Sequence, residues 1–149
     1  MTRSAAVPAG RRLVFGASGY IGSNLVPALV AAGHRVRASA RNVEVLEGRG
    51  WDAVDLVQAD ALDGDSFPDA LAGVDTAYYL VHSMAAGRDF AAIDRQAAGN
   101  FARAAADAGV RRIVYLGGLI PPNPRSQHLL SRAETGEVLR TFPVPVTEI

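Results

Sequence analysis

Leu13-Val14-Phe15-Gly16-Ala17-Ser18-Gly19-Tyr20-Ile21-Gly22 decides the fold: a short apolar run ends in a glycine, and glycine then recurs with the spacing G-x-x-G-x-x-G. Each glycine has a mechanical task. The first permits a tight turn, the middle one lets backbone approach a phosphate, and the third lets the following helix pack close to the sheet. Residues 20–32 then suit a helix that stops at Gly33, giving strand, turn, helix and C-cap in order. Pro27 inside it withholds a donor and is expected to bend it. The N-terminus of such a helix offers unpaired N–H groups and a partial positive charge, which suit the pyrophosphate of a dinucleotide. A glycine septet in any loop is weak; between a strand and a helix it reads as a nucleotide loop. Gly16, Ala17, Ser18, Gly19, Tyr20, Ile21 and Gly22 are therefore the expected cofactor-binding residues of this unit.

Outward from the loop, strands and helices alternate. Residues 36–40 read as a second strand, completing a βαβ unit, and 55–59 as a third. Residues 66–72 suit a short helix. The run 75–81 is apolar at nearly every position, as a strand covered on both faces should be. Over 89–108, Phe90, Ile93, Ala97 and Phe101 recur at spacings of three and four and so share one face of a long helix that Gly109 closes. A fifth strand at 112–116, a proline-rich loop at 121–124 and a helix over 126–140 follow. Residues 144–149 begin a sixth strand. The alternation implies an α/β fold of the Rossmann type, a doubly wound parallel sheet with helices on both faces. Residues 1–10 are expected to be a disordered lead-in and 11–149 one nucleotide-binding domain. Because the chain ends inside the sixth strand, a C-terminal part that shapes the substrate pocket is expected to be missing. The unfinished sheet edge would favour self-association.

Composition narrows the partners. Hydrophobic residues make up 49% and charged residues 20%, the balance of a folded globular chain. The 15 basic and 15 acidic residues cancel, so no strong field draws nucleic acid or an anionic membrane. With no cysteine there is no disulfide, no thiolate ligand and no cysteine nucleophile. That usage agrees with a cytoplasmic location. No apolar stretch reaches the roughly 18 residues of a membrane span. His34, His82 and His128 are too scattered for a metal site.

Dinucleotide sites that prefer NAD carry an acidic residue about 20 residues after the glycines, on the adenosine ribose. Here the second strand ends Ala40-Arg41-Asn42, with no carboxylate. The guanidinium of Arg41 suits a 2′-phosphate, so NADP(H) is expected over NAD(H); the other reading of Arg41 is a solvated surface residue. Asp60, followed by Ala61, could accept a hydrogen bond from the adenine amino group. It could equally form an Asx turn or helix cap.

The glycine loop, Arg41, Asp60 and Asp63, and the helix from Asn100 to Gly109 running into Arg112-Ile113-Val114-Tyr115 together resemble the atypical and extended short-chain dehydrogenase/reductase superfamily, in particular its NmrA-like branch. More narrowly, Tyr79-Leu80-Val81-His82-Ser83-Met84 with Asp89-Phe90, Ser126-Gln127-His128-Leu129 and Ser131-Arg132-Ala133-Glu134 are similar to a bacterial group of NAD(P)-binding proteins with a long C-terminal extension. The likeness covers nearly all of the chain after Arg11. It implies the strand order 3-2-1-4-5-6, with Leu80, Val81 and His82 bordering the nicotinamide. The substrate pocket would lie over the ends of strands four and five, near Gly117 and Gly118.

Catalytic members of that superfamily use a serine and a Tyr-x-x-x-Lys pair to exchange a proton while hydride moves to or from the nicotinamide. This chain departs at each position. Gly117-Gly118 stands where the serine is expected, and His128-Leu129-Leu130-Ser131-Arg132 where the pair is expected. His128 and Arg132, one helical turn apart on one face, are a candidate replacement; the other reading is an ordinary exposed helix face. His82 is the rival acid/base, at the end of a strand, unless it is a loop histidine satisfied by backbone. Tyr78 and Tyr79 are expected to pack the sheet. The implied function is an NADP-dependent oxidoreductase acting on a small carbonyl or alcohol, the alternative being a non-catalytic cofactor-binding sensor or scaffold.

Overall fold

The computed structural model describes residues 10–83 and 87–149. Strand β1 (Arg11–Phe15) leads into helix α1 (Tyr20–Ala31), followed by β2 (Val36–Ala40), α2 (Glu44–Glu47) and β3 (Asp55–Gln58). Then come α3 (Phe67–Leu71), β4 (Val74–Tyr79), α4 (Phe90–Asp107), β5 (Arg112–Tyr115), α5 (Gln127–Arg140) and β6 (Val146–Glu148). Short 3-10 turns at Gly64–Ser66 and Gly87–Asp89 precede α3 and α4. The lead-in expected over 1–10 falls, Gly10 apart, outside the described residues.

The six strands form one parallel sheet in the order β3-β2-β1-β4-β5-β6. This is the doubly wound Rossmann arrangement that the alternation implied. Sequence-consecutive strands step outward from β1 on one side and from β4 on the other, so the loops leaving these two central strands diverge and open a crevice between them.

The period-2 alternation of β1 divides the core into two layers. Leu13 and Phe15 face the layer that holds Tyr79, Phe101 and Ile113, while Val14 faces the one that holds Val26, Leu29 and Leu46. Phe15 and Tyr79 each lie 4.8 Å from Phe101 between ring centroids, so the strand ends bordering the crevice rest on a rigid aromatic cluster. Tyr78 packs against the opposite layer, and both tyrosines serve the sheet as expected. Buried Arg37 of β2 pairs with Asp55 at 2.7 Å and donates to the Ala70 and Ala72 carbonyls at 2.8 Å, closing the end of α3 from the neighbouring strand.

Some boundaries differ from the sequence expectation. β4 ends at Tyr79, two residues early: Leu80 still donates to the Phe15 carbonyl of β1 at 2.9 Å, but the pairing with β5 stops at Tyr79, opposite Tyr115. Single-turn α2 was not foreseen, being too short to show a period; Leu46 anchors it in the core. α1 runs on through Pro27, which forfeits only its own donor.

Candidate functional site

A cavity of about 430 Å³ occupies the crevice. The glycine loop supplies Gly16, Ser18 and Gly19, the exit of β2 supplies Ala40 and Arg41, and the exit of β3 supplies Asp60 and Ala61. The exit of β4 supplies Leu80, Val81, His82 and Ser83, and α4 closes the floor with Ile93 and Ala97. Of the glycine septet, Ala17, Tyr20, Ile21 and Gly22 do not line it. Ala17 is fully buried beneath the loop, and Tyr20 and Ile21 are exposed on α1.

The three glycines are held for different reasons. Gly16 has φ of 95°, and a Cβ there would come within 3.0 Å of the Leu80 carbonyl oxygen. At Gly22 a Cβ would stand 2.6 Å from the Ala17 Cα and 2.7 Å from the Gly16 carbonyl oxygen, so helix and loop could not close. Gly19 is unlike both: its φ of −75° suits any residue, and its Cβ would meet only the Gly16 carbonyl oxygen, at 3.8 Å. The fold has no need of glycine at position 19. The side that stays bare faces the cavity.

Gly19 is also the N-cap of α1, where no side chain caps the helix and no acidic residue stands in the first turn. The donors of that turn and its partial positive charge are therefore not neutralised locally. Arg41 is exposed at the cavity rim and has no acidic partner among the described residues. Asp60 forms the Asx turn that the sequence allowed, accepting the Leu62 N–H at 2.9 Å, and still faces the cavity.

At the other end, Asp94 of α4 is buried and accepts the Ser83 N–H at 2.7 Å and the Ser131 hydroxyl at 3.0 Å. This carboxylate was not singled out in the sequence. The signal was there: Asp94 lies four residues after Phe90, on the apolar face of its helix. His82 stands beside it with its ring 5.9 Å from that of Tyr115. Burial lowers the His82 imidazole below its ordinary 6.5, and the Arg132 guanidinium pushes the same way. Asp94 and a hydrogen bond with the Leu116 backbone oppose them less strongly. The imidazole is accordingly neutral at pH 7.

α5 sets His128 and Arg132, the pair singled out in the sequence, against different neighbours. His128 is exposed and stacks on Phe90 with ring centroids 4.5 Å apart, whereas Arg132 acts on His82 and its Nη1 lies 3.4 Å from where a Gly118 Cβ would be. Neither lines the cavity. Helical spacing alone does not say which of two residues a twist of the axis turns inward.

Gly117 is filled from elsewhere. A Cβ there would fall 2.3 Å from Oε1 of Glu148, whose other oxygen pairs with Arg140 and crowds Gly136. Of the tyrosines near this point, Tyr115 donates to the Arg132 carbonyl at 3.0 Å and burial pushes its hydroxyl up to about 12; burial raises Tyr79 further, and its buried hydroxyl has no hydrogen-bond partner among the described residues.

Among the described residues no helix is long and apolar enough to cross a membrane. Residues 16–140 match a family described as NAD(P)H-binding. The chain is 34% identical over 120 residues to cinnamoyl-CoA reductase 1 of Oryza sativa subsp. japonica, covering 74% of this chain and 36% of that protein. The fold is similar to that of Citrobacter sp. triphenylmethane reductase complexed with NADP(H), with a TM-score of 0.79 and 25% identity over 93% of this chain and 48% of that one. A short-chain dehydrogenase/reductase superfamily protein from Agrobacterium tumefaciens with bound NAD is similar at a TM-score of 0.76 and 25% identity, covering 93% of this chain and 48% of that one. The chain spans about a third of the length of the curated relatives and about half that of the solved structures. These findings agree with the resemblance drawn from the sequence.

Proposed function

The chain belongs to the NAD(P)H-binding family, and from that premise we propose that its cavity takes NADP(H) in preference to NAD(H) and that His82 is the proton-exchanging group of an oxidoreductase. The observation that carries the binding reading is Gly19, a glycine without a folding reason on the bare side of an uncapped helix N-terminus. A pyrophosphate there would take the first-turn N–H groups of α1, and Arg41 would take the 2′-phosphate. Asp60 and Ala61 would border the adenine, and Leu80, Val81 and His82 the nicotinamide.

When bound, the nicotinamide exchanges a hydride with a carbon of the substrate. The chain's own part is the proton. A neutral imidazole is an acceptor, so His82 would take the hydroxyl proton of an alcohol as the carbon gives up hydride, which favours oxidation near pH 7. A small carbonyl or alcohol is the proposed substrate class. The second reading, a non-catalytic dinucleotide sensor, is favoured by the engaged, upward-shifted Tyr115 and by the absence of room for a serine side chain at Gly117.

Titration of the chain with NADPH and NADH, followed by fluorescence, tests the binding reading against Gly19→Asp. Saturable binding that is tighter for NADPH and lost in a variant of unchanged thermal unfolding supports it. A folded chain that binds neither overturns it. Turnover of a panel of small alcohols, absent in His82→Asn, separates the enzyme from the sensor.

A further inference from the structure

Arg132 is a guanidinium drawn partly out of water without a counter-charge. Of the described arginines that are buried or half-buried, Arg11, Arg12 and Arg37 each pair with an aspartate at 2.7 to 2.9 Å. Arg132, half-buried like Arg11 and Arg12, pairs with no carboxylate among the described residues. The two carboxylates that act on Tyr115 alongside it are engaged elsewhere, Asp94 by the Ser83 N–H and the Ser131 hydroxyl, Glu148 by Arg140. A charge withdrawn from water with no partner is destabilising, so its retention points to a partner that arrives with a ligand.

The placement of the group says which ligand. Tyr115 donates to the Arg132 carbonyl at 3.0 Å and sets its ring 5.9 Å from that of His82, so one residue of β5 gathers both. The Arg132 Nη1 lies 3.4 Å from where a Gly118 Cβ would be; Gly118 is exposed, with φ of 90°, and puts no side chain over the guanidinium. Arg132 lies outside the cavity given to the dinucleotide, whereas His82 lines the end of it. A molecule that meets His82 from the Gly118 side therefore comes within reach of the guanidinium without displacing the cofactor. The planar fork of arginine matches a carboxylate with two parallel hydrogen bonds, and one guanidinium balances a single negative charge rather than a phosphate dianion.

We propose that Arg132 holds the carboxylate of the substrate, which makes the substrate class a short hydroxy acid rather than a neutral alcohol. The proposal rests on the reading that His82 exchanges a proton in an oxidoreductase. In that step the carbinol C–H bond breaks and its electron pair passes to the oxidised nicotinamide, which is reduced; the O–H proton goes to His82, and a keto acid is left. The carboxylate is unchanged throughout, so Arg132 serves binding and orientation. The rival role is a charge that tunes His82 and takes no ligand of its own, and the two roles differ in whether a neutral substrate is affected by the loss of the residue.

The test compares lactate and β-hydroxybutyrate with their amides in the chain loaded with NADP+, and in its Arg132→Gln and Arg132→Lys variants. At about pH 8 the His82 imidazole is neutral with or without Arg132, so tuning of its pKa drops out of the comparison. Oxidation of the acids should exceed that of the amides about tenfold or more in kcat/KM, and Arg132→Gln should remove the preference through KM while the amides change less than about twofold. Arg132→Lys should fall between, since it keeps the charge and loses the fork. The NMR signals of the His82 imidazole give a second readout that needs no turnover: the acids should shift them in the parent chain and not in Arg132→Gln. Unchanged thermal unfolding shows that the variants fold. Acids and amides treated alike by the parent chain, or equal losses for both in Arg132→Gln, overturn the proposal. Acids that shift the His82 signals through Arg132 in a chain that oxidises nothing support the carboxylate seat and overturn the oxidoreductase reading instead, so the two failures are distinct.

Discussion

The Asp94 carboxylate of α4 accepts the Ser83 backbone N–H at 2.7 Å and thereby fixes the segment that carries His82. Its second oxygen takes the Ser131 hydroxyl from α5 at 3.0 Å, so one buried group ties the exit of β4 to two helices. Asp94→Ala strands both donors in a buried place and should cost about 1–3 kcal/mol in urea unfolding. Asp94→Asn keeps an acceptor and should cost less. An alanine variant as stable as the asparagine one would show that these bonds do not hold the segment.

His82 answers to two charged neighbours of opposite sign. Arg132 lowers its pKa and Asp94 raises it, behind the larger lowering by burial. In an NMR titration of the imidazole, Arg132→Gln should therefore move the midpoint up towards 6.5, and Asp94→Asn should move it further down. Stability follows from the same depression. Because the folded imidazole binds its proton less readily than the unfolded one, the unfolded state gains protons first as pH falls through 6.5. Stability should drop from there towards the folded pKa, and His82→Asn should flatten that part of the profile. Midpoints that move together in the two variants would contradict this arrangement.

Gly19 and Gly22 should separate binding from folding. Gly22→Ala drives a methyl into the backbone of Ala17 and Gly16, which cannot give way as a side-chain tip could, and should cost about 2–4 kcal/mol. Gly19→Ala meets nothing closer than 3.8 Å and should stay within about 0.5 kcal/mol of the parent, while its affinity for NADPH falls. Thermal unfolding and a titration on the same samples read both. A Gly19→Ala variant that binds normally would remove the reason given for glycine there.

What the sequence showed of this site followed the reach of its signals. The glycine septet, Arg41 and the 80–82 segment lie at strand exits, and strand exits can be located once the β-α alternation is seen. Arg49, which donates to the Ser18 carbonyl and the Ser23 hydroxyl beside the glycine loop, could not be found that way: these partners are 31 and 26 residues distant, and nothing local in the sequence marks the contact. Asp94 could have been found, as a charge on an apolar helix face. For Arg132 the limit of the sequence is of another kind. Helical spacing places it with His128, but the docking of α5 decides that one faces His82 and the other Phe90. Glu148 belongs with Gly117 only because β6 pairs with β5, which sets Tyr115 opposite it in register.

That last contact explains the glycine that replaces the expected serine. Gly117→Ser would put its Cβ 2.3 Å from Glu148 Oε1. The carboxylate is a flexible tip, but its retreat is limited by its pairing with Arg140. The substitution should cost about 1–2 kcal/mol. Glu148→Ala alone gives up a partly exposed ion pair and should cost less than about 1 kcal/mol. If the carboxylate is the obstacle, the double variant should be more stable than the sum of the two losses predicts, by roughly the cost of the clash, in a urea double-mutant cycle. Simple additivity would mean that serine is refused by the strand-end backbone itself, and Glu148 would then be a neighbour rather than the cause.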